Sequence, residues 1–547
     1  MKYLFLLSFA LIINMHLAYA QTKSLAAEVA ATAMATLWKV PVGADTAKPT
    51  KWTYDQSFGL LGIERLWIQT ANPAYFSYLQ NSINYFISEN GDIKFHKVQD
   101  YDIDNILLGR ILLSLYNVTG QVKYYKAASL LRDQLKAQLR KNEGILYMGE
   151  PFYAAYAKQF HEPEAFDDIA NRFIGMEQHA RDAKTGLYEM ALVDVLENFP
   201  VAHPKRDTLV SIFKRRVDAI KKVQVSASAM FVYANAKAVR LGFLPASYLA
   251  VSKKGYDGIL KQFIDTSKEG YANLKGTLSG DPNGVGVFIL AATEMEWHLL
   301  PKPGKNKVFL LDDYYNAEKK KDIKGVEYAY HYKWPEMYNN GFSFLGNIIT
   351  TNGLQTKTLS QAPTAGNLKN ASIYMIVDAD NIADNPTPNY MNDRDAQEIY
   401  NWVKAGGVLV LFHNDKPNAD FTAINKLSDL FGIHFNEDTH NKVVGTNYVG
   451  GKIDVPAGHQ IFKNVQTIYQ KEVCSITAKS PAKSLLTKGD LVVFATAKIG
   501  KGTVFATGDP WLYNEYTDGR MLPAIYQNAE AAKGLVKWLI SQIPVKK

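Results

Sequence analysis

The sequence predicts a multidomain protein, an (α/α)6 barrel followed by a doubly wound α/β domain. Three observations carry that expectation. Helical apolar runs recur twelve times between Ser24 and His298, with almost no strand-like alternation among them. Tight and open connections alternate along those runs. After Pro301-Lys302-Pro303-Gly304-Lys305 the pattern changes to short apolar strands separated by helices.

The helical half is organised around residues 101–157. Ile103, Ile106, Leu107, Ile111, Leu115 and Tyr116 fall at helical spacing, Thr119-Gly120 ends the run, and Val122 to Leu139 carries the pattern on. The twelve runs fall near 24–38, 54–70, 73–88, 104–118, 122–139, 146–160, 163–180, 187–199, 204–222, 225–241, 245–267 and 284–298. Pro73, Pro163, Pro204 and Pro245 open four of them, in the first turn, where a missing N–H costs nothing. Aromatic anchors recur roughly every 40–50 residues, the period of stacked helix pairs. Six pairs suffice to close a ring. The joins after the even-numbered runs are tight: Ala71-Asn72, Thr119-Gly120-Gln121, His161-Glu162, Pro200 to His203 and Gly242 to Leu244. The open joins therefore share the other face, and loops on a rigid scaffold carry function. One join, Lys221 to Ser226, must reverse the chain without Gly, Pro, Asn or Asp, which predicts strain or a helix that runs through.

At the start, Lys2 precedes the apolar run Tyr3 to Asn14, and Ala18-Tyr19-Ala20 precedes Gln21. This is the pattern of a cleavable secretory signal peptide over residues 1–20, too short to span a membrane. The absence of Cys at the cleavage site argues against a lipid anchor, so the expected location is a bacterial periplasm or outside the cell. Cys474 is the single cysteine of the 547 residues, so no intrachain disulfide forms. The formal charge of +8 is spread thinly. Anionic ligands or solvated lysines account for it equally, and no basic stripe with interleaved aromatics points to nucleic acid.

In the second half, Val308–Leu311, Ile373–Val377, Val408–Phe412, Leu491–Ala495 and Thr503–Thr507 read as buried strands. Helical runs at Asp393–Ala405, Phe421–Phe431 and Ala529–Ile543 lie between or after them. That alternation predicts a parallel, flavodoxin-like sheet with helices on both faces. His413, Asp415, Asp509 and Trp511 then fall at the carboxyl ends of strands, where such sheets bind ligands. Stabilisation of the turns is the alternative role for all four. No spacing resembles a zinc or calcium motif, and no cofactor is expected.

The stretches WTYDQSFGLLGIERLW (52–67), YDIDNILLGRILLSLYNVTGQVKYYKAASLLRDQL (101–135), LYMGEPFYAAYA (146–157), MALVDVLENFP (190–200) and SASAMFVYANAKAVRLGFLP (226–245) resemble glycoside hydrolase family 105. These are the unsaturated rhamnogalacturonyl hydrolases of the family 88/105 type, and the resemblance covers about residues 28–298. It implies an oligosaccharide partner left by pectin lyases, with a terminal 4,5-unsaturated galacturonic acid. An aspartate protonates the vinyl ether, water adds at C5, and the opened ring releases the sugar. The usual glycosidase instead flanks its bond with two carboxyl groups. By position, Trp52 and Tyr54 match the family's aromatic wall at the pocket mouth, and Asp104 matches an acidic residue lining the sugar site. Core packing is the alternative for Trp52 and Tyr54, and a helix N-cap for Asp104.

The chain also departs from the family. The Gly-Phe-Trp-His segment and the Trp-Leu-Asp-Gly turn bearing the catalytic aspartate have no counterpart, because Glu143-Gly144-Ile145 runs straight into Leu146-Tyr147-Met148. Loops are also missing after Leu187, between Gln224 and Ser226, and between Thr277 and Asp281. Of the remaining acids, Asp104 is the nearest match to a catalytic role, and Glu150 reads as a carboxylate favoured by a helix start. The expectation is a secreted pectin-oligosaccharide hydrolase-like protein whose own catalysis is impaired. A non-catalytic carbohydrate-binding protein, or an interaction module carried by the α/β domain, are the alternatives. Residues 406–415 (GGVLVLFHND) and 500–516 (GKGTVFATGDPWLYNEY) resemble class I glutamine-amidotransferase-like domains. The turn Phe412-His413-Asn414-Asp415 holds no Cys, which excludes glutaminase chemistry. The expected domains are 1–20, 24–300 and 307–547, with 301–306 as linker.

Overall fold

A computed structural model of the chain describes residues 24–36, 52–137, 143–177, 186–223, 229–268, 271–275 and 282–545. The expected signal peptide, 1–20, lies outside these residues. So do 138–142, 178–185, 224–228 and 276–281, on which the departures at 224–226 and 277–281 and part of the Lys221–Ser226 join fall; the departures at 143–148 and after Leu187 lie in described residues.

Twelve α-helices occupy the first 300 residues of the described chain. They are α1 (Leu25–Thr36), α2 (Tyr54–Thr70), α3 (Pro73–Phe86), α4 (Leu108–Thr119), α5 (Val122–Ala137) and α6 (Glu143–Gln159), then α7 (Ala165–Glu177), α8 (Leu187–Asn198), α9 (Arg206–Val223), α10 (Ala229–Arg240), α11 (Leu249–Phe263) and α12 (Pro282–Leu299). Two expectations shift. The fourth helix starts at Leu108 rather than near Asp104, because Ile103–Asn105 forms a separate 3-10 turn capped by Asp102, whose carboxylate accepts from the Asp104 N–H at 3.0 Å. The eleventh ends at Phe263, and Ile264–Lys268 (β1) pairs with Tyr271–Leu274 (β2) as an antiparallel hairpin. Ile264 and Thr266 are β-branched and give up little by leaving a helix.

The chain divides into two compact units. One comprises Met1–Ile63, Lys141–Pro151 and Asp167–His298; the other comprises Glu64–Arg140, Phe152–Phe166 and Leu299–Lys547. In the first, the last helix holds the first. Glu296 accepts from the Ser24 hydroxyl at 2.7 Å and from the Ala26 N–H at 2.9 Å, tying the start of α1 to α12. A Cβ on Gly286 of α12 would stand 2.5 Å from the backbone carbonyl of Phe58 in α2, so only glycine permits this crossing. Phe58 in turn stacks flat on Tyr147 of α6, with ring centres 5.0 Å apart.

The second unit contains α3 to α5 and a seven-stranded sheet. Its strands are β3 (Val308–Asp312), β6 (Gln355–Leu359), β7 (Ile373–Val377), β8 (Val408–Phe412), β13 (Ala482–Lys488), β14 (Leu491–Ile499) and β15 (Gly502–Thr507), ordered β13-β14-β15-β8-β7-β3-β6. Short hairpins flank it: β4 (Lys319–Lys321) with β5 (Glu327–Ala329), β9 (Ile433–Phe435) with β12 (Ile476–Ala478), and β10 (Lys452–Asp454) with β11 (Thr467–Tyr469). Strands β6, β3, β7, β8 and β15 run parallel. The expectation of an all-parallel sheet needs correction, since β14 turns back on β15 and pairs antiparallel, with β13 beyond it. Alternate residues feed two cores. Phe309, Leu311, Met375, Val377, Val410 and Phe412 enter one, and Leu310, Tyr374, Ile376, Leu409 and Leu411 the other. Strands covered on both faces must be apolar throughout, which is why β7 and β8 read as continuous apolar runs.

Within this unit the tight turns of the helices rest on the sheet-bearing segment. The Trp67 indole donates to the Asp518 carbonyl at 2.8 Å and packs against Phe344. Arg520 donates to the Val118 carbonyl at 3.2 Å and pairs with Asp518 at 2.6 Å. Lys324 reaches Glu162 at 3.4 Å beside the His161-Glu162 turn. The 301–306 connection is fastened too, since the Gly304 N–H donates to the Asn352 carbonyl at 2.9 Å and the Lys302 ammonium to the Thr351 carbonyl at 2.7 Å.

Candidate functional sites

Trp52 is fully buried, and its indole donates to the Ser57 hydroxyl at 2.9 Å. Tyr54 opens α2, partly exposed, edge-on to Phe58 at 6.3 Å. Asp104 sits in the 3-10 turn before α4, partly buried, its N–H taken by Asp102. The neighbouring Asp102 carbonyl accepts from Gln134 at 2.9 Å, which pins this turn to α5.

Among the described residues of the first unit, the carboxylates buried within the helices are all ion-paired. Glu150 faces Arg172 at 3.7 Å, and Glu189 meets Arg216 at 2.5 Å. Asp194 takes Lys237 at 2.6 Å and the Tyr233 hydroxyl at 2.7 Å. Glu294 grips Arg240 with both oxygens, at 2.7 and 2.9 Å. Burial opposes the Arg240 charge, yet the Glu294 carboxylate beside it prevails and raises the guanidinium pKa. Glu296, only partly buried, is the exception in chemistry. Burial raises its pKa despite two donated hydrogen bonds, and its task is to hold α1.

In the sheet-bearing segment the four expected residues take different places. His413 continues β8 by donating its N–H to the Thr507 carbonyl at 2.8 Å, and its ring is wedged between Phe421 and Phe435, each 4.6 Å away. Burial lowers its pKa to about 3, so the ring is neutral. Asp415 holds its own turn by accepting from Asn418 at 2.8 Å. Asp509 is buried with Oδ2 unpartnered, and burial pushes its pKa well above the carboxylate range. Trp511 lies in the core against Phe494 and Phe462. Cys474 is buried, and burial raises its thiol pKa, so no thiolate nucleophile stands here.

A group that the sequence reading missed lies at the carboxyl edge between β3 and β7. The parallel strands β6, β3, β7, β8 and β15 follow the chain order 2-1-3-4-5, which makes the β3/β7 gap the point where the order reverses. Asp312 closes β3. It accepts from the Tyr315 N–H at 2.6 Å and the Tyr374 hydroxyl at 2.5 Å, and burial pushes its pKa up to about 6. Asn316 donates to the Asp378 carbonyl at 2.9 Å, and Lys333 donates to Asn316 while pairing with Asp313 at 2.6 Å, so the loops after β3 and β7 are stitched together.

Glu318 and His331 meet there because they flank the β4/β5 hairpin. The Tyr330 N–H donates to the Glu318 carbonyl at 3.0 Å, and His331 Nδ1 lies 2.7 Å from Glu318 Oε1. Tyr332 stacks on the His331 ring at 4.0 Å. Asp378 follows β7 with its N–H on the Phe412 carbonyl at 2.8 Å and a left-handed φ of 46°. Burial lifts the Asp378 pKa to about 8, and that of nearby Glu336 to about 7. For His331, burial opposes the charged form, but the Glu318 hydrogen bond and the Asp378 charge outweigh it and raise the pKa. Glu318, His331 and Asp378 are the one group of three His, Cys, Asp or Glu residues among the described residues whose ligand atoms lie within 4.8 Å of one another.

Paired helices joined to a sheet-bearing segment define a multidomain chain with a helical part and an added α/β part. Residues 26–189 and 223–299 match the family model described as Glycosyl Hydrolase Family 88, which supports assigning this helical part of the chain to glycoside hydrolase family 88/105. A Clostridium acetobutylicum glycoside hydrolase from family 105 is 29% identical over 50% of this chain and 99% of its own, with a TM-score of 0.44. A possible member of family 105 from Salmonella enterica serovar Paratyphi A is 17% identical over 51% and 94% of the two chains, with a TM-score of 0.41. A family 88 glycosyl hydrolase from Bacteroides vulgatus is 15% identical over 45% and 92%, with a TM-score of 0.37.

Proposed function

We propose that the chain is an exported pectin-oligosaccharide hydrolase-like protein whose helical part closes as an (α/α)6 barrel and whose own catalysis is impaired. Its ligand class is an oligosaccharide ending in a 4,5-unsaturated galacturonic acid, and the family reaction is hydration of the vinyl ether. Twelve helices, with α12 tied to α1 through Glu296, support the barrel. The 2-1-3-4-5 order of the parallel strands supports a flavodoxin-like second domain. The residue pattern at 1–20 supports export.

The impairment rests on the buried ion pairs. Vinyl-ether hydration needs a proton delivered to carbon, and a positioned acid supplies about 10²–10⁴-fold. Glu150, Glu189, Asp194 and Glu294 each lie against a cationic side chain, which commits them to the scaffold rather than to a substrate. Asp104 sits in the 3-10 turn before α4. Its own N–H goes to Asp102, as in a cap.

The test is incubation with unsaturated rhamnogalacturonan disaccharide while following the double-bond absorbance. The expected rate is near background, with heat of binding still measurable by calorimetry. Turnover at ordinary enzyme rates, abolished by Asp104→Asn or Glu150→Gln, would overturn the proposal.

A further inference from the structure

We propose that Glu318, His331 and Asp378 form a binding site for one divalent first-row transition-metal ion, of the kind of Zn²⁺ or Mn²⁺. The site is built by the fold rather than by a sequence motif. The antiparallel hairpin β4/β5 brings Glu318 opposite Tyr330 and so beside His331, while the end of β7 supplies Asp378. Stitching between the two loops fixes that end, through Asn316 to the Asp378 carbonyl and through the Asp380 N–H to the Tyr315 carbonyl at 2.8 Å.

Dimensions fit a single ion. Nitrogen and oxygen ligands sit about 2.0–2.2 Å from zinc, so a tetrahedral set spreads its atoms by roughly 3.4 Å. The three side chains here present theirs within 4.8 Å, with His331 Nδ1 and Glu318 Oε1 already at 2.7 Å. Small side-chain rotations close the remaining gap.

A second observation points to a ligand independently of that spacing. Asp378 is only 5% exposed, yet its Oδ1 has no hydrogen-bond partner. A buried acceptor left without a partner is costly, and a cation beside it removes the cost. The Lys333 ammonium is committed to Asp313 and Asn316.

The donor set decides the class of metal. One imidazole with two carboxylates suits zinc and manganese, whereas calcium and magnesium prefer all-oxygen shells. The position also agrees with the general rule for such sheets, in which ligands sit at the carboxyl edge where the strand order reverses.

The test uses the full chain, stripped with chelator and dialysed, and measures bound metal after equilibrium dialysis against Zn²⁺, Mn²⁺, Mg²⁺ or Ca²⁺. One equivalent of Zn²⁺ or Mn²⁺ per chain is expected, with affinity lowered at least tenfold in Asp378→Asn and in His331→Gln. Because Asp378 is buried, its variant is checked by circular dichroism. His331→Gln, at a partly exposed position, keeps the test decisive if Asp378→Asn does not fold. Cobalt adds a direct readout, since a visible absorption band present in the parent and absent from folded His331→Gln reports imidazole ligation. No saturable Zn²⁺ or Mn²⁺ binding, preference for Mg²⁺ or Ca²⁺, or binding unchanged in folded His331→Gln would each overturn the proposal.

Discussion

Replacing Arg240 by Met removes the cation that Glu294 grips with both oxygens, at 2.7 and 2.9 Å. Glu294 is 1% exposed and belongs to α12, while Arg240 ends α10. Methionine fills part of the volume but leaves a buried carboxylate without its bidentate partner. Breaking one side of a buried pair costs about 3–5 kcal/mol. At roughly 2–4 °C per kcal/mol for a unit of this size, the melting temperature should fall by roughly 6–20 °C. The double variant Arg240→Met/Glu294→Leu removes both charges and should recover most of the loss, because well-packed apolar replacements of buried pairs are often neutral. Differential scanning calorimetry of the three proteins measures this directly. If Arg240→Met melts within about 2 °C of the parent, below the shift worked out above, Glu294 is not held as a structural anion. The reading of these buried carboxylates as scaffold would then fail.

Other outcomes follow from single contacts. Gly286→Ala places a methyl group 2.5 Å from the Phe58 carbonyl and must push α2 from α12; a loss of about 1–3 kcal/mol or more in urea unfolding is expected. Neutral His413 makes stability sensitive to acid. Its native pKa, about 3, lies below the ordinary 6.5, so the unfolded chain takes up the proton first. The stabilisation is complete above pH 6.5 and is lost as pH falls toward 3, amounting to about 2 kcal/mol between pH 6.5 and 5. His413→Phe, a ring between Phe421 and Phe435, should flatten that limb relative to the parent in urea titrations at the two pH values. An identical slope would mean that the buried ring does not titrate on unfolding.

Most helices were legible because each buries one apolar stripe against its neighbours. The run read at 187–199 is Leu187–Asn198, and the run read at 122–139 is Val122–Ala137. Where local hydrogen bonding competes with periodicity, the reading slipped, as at Asp102, which caps a turn ahead of α4. Strands β6 and β13 escaped notice because they are the sheet's outer strands and carry mostly polar, solvent-facing residues. Lys319-Lys320-Lys321 forms a strand although all three side chains are charged. Alternation of Tyr328, Tyr330 and Tyr332 was the available signal for a hairpin there. Glu318, His331 and Asp378 could not be grouped from spacing. Their meeting depends on β7 lying beside β3 and on the register of β4 with β5, and neither is written in local sequence.

The hydrogen bond from Trp67 to Asp518 spans 451 positions of the chain. Ribosomes add about 5–20 residues per second, so a helix face finished at Trp67 waits roughly 20–90 s for the segment that covers it. During that interval Trp67 and Phe76 have no Phe344 or Arg520 to pack against. Covering of that face is therefore post-synthetic in character, even though these helices are made early. A chain truncated after residue 300 would keep that face bare indefinitely and be prone to aggregate, however complete its helices.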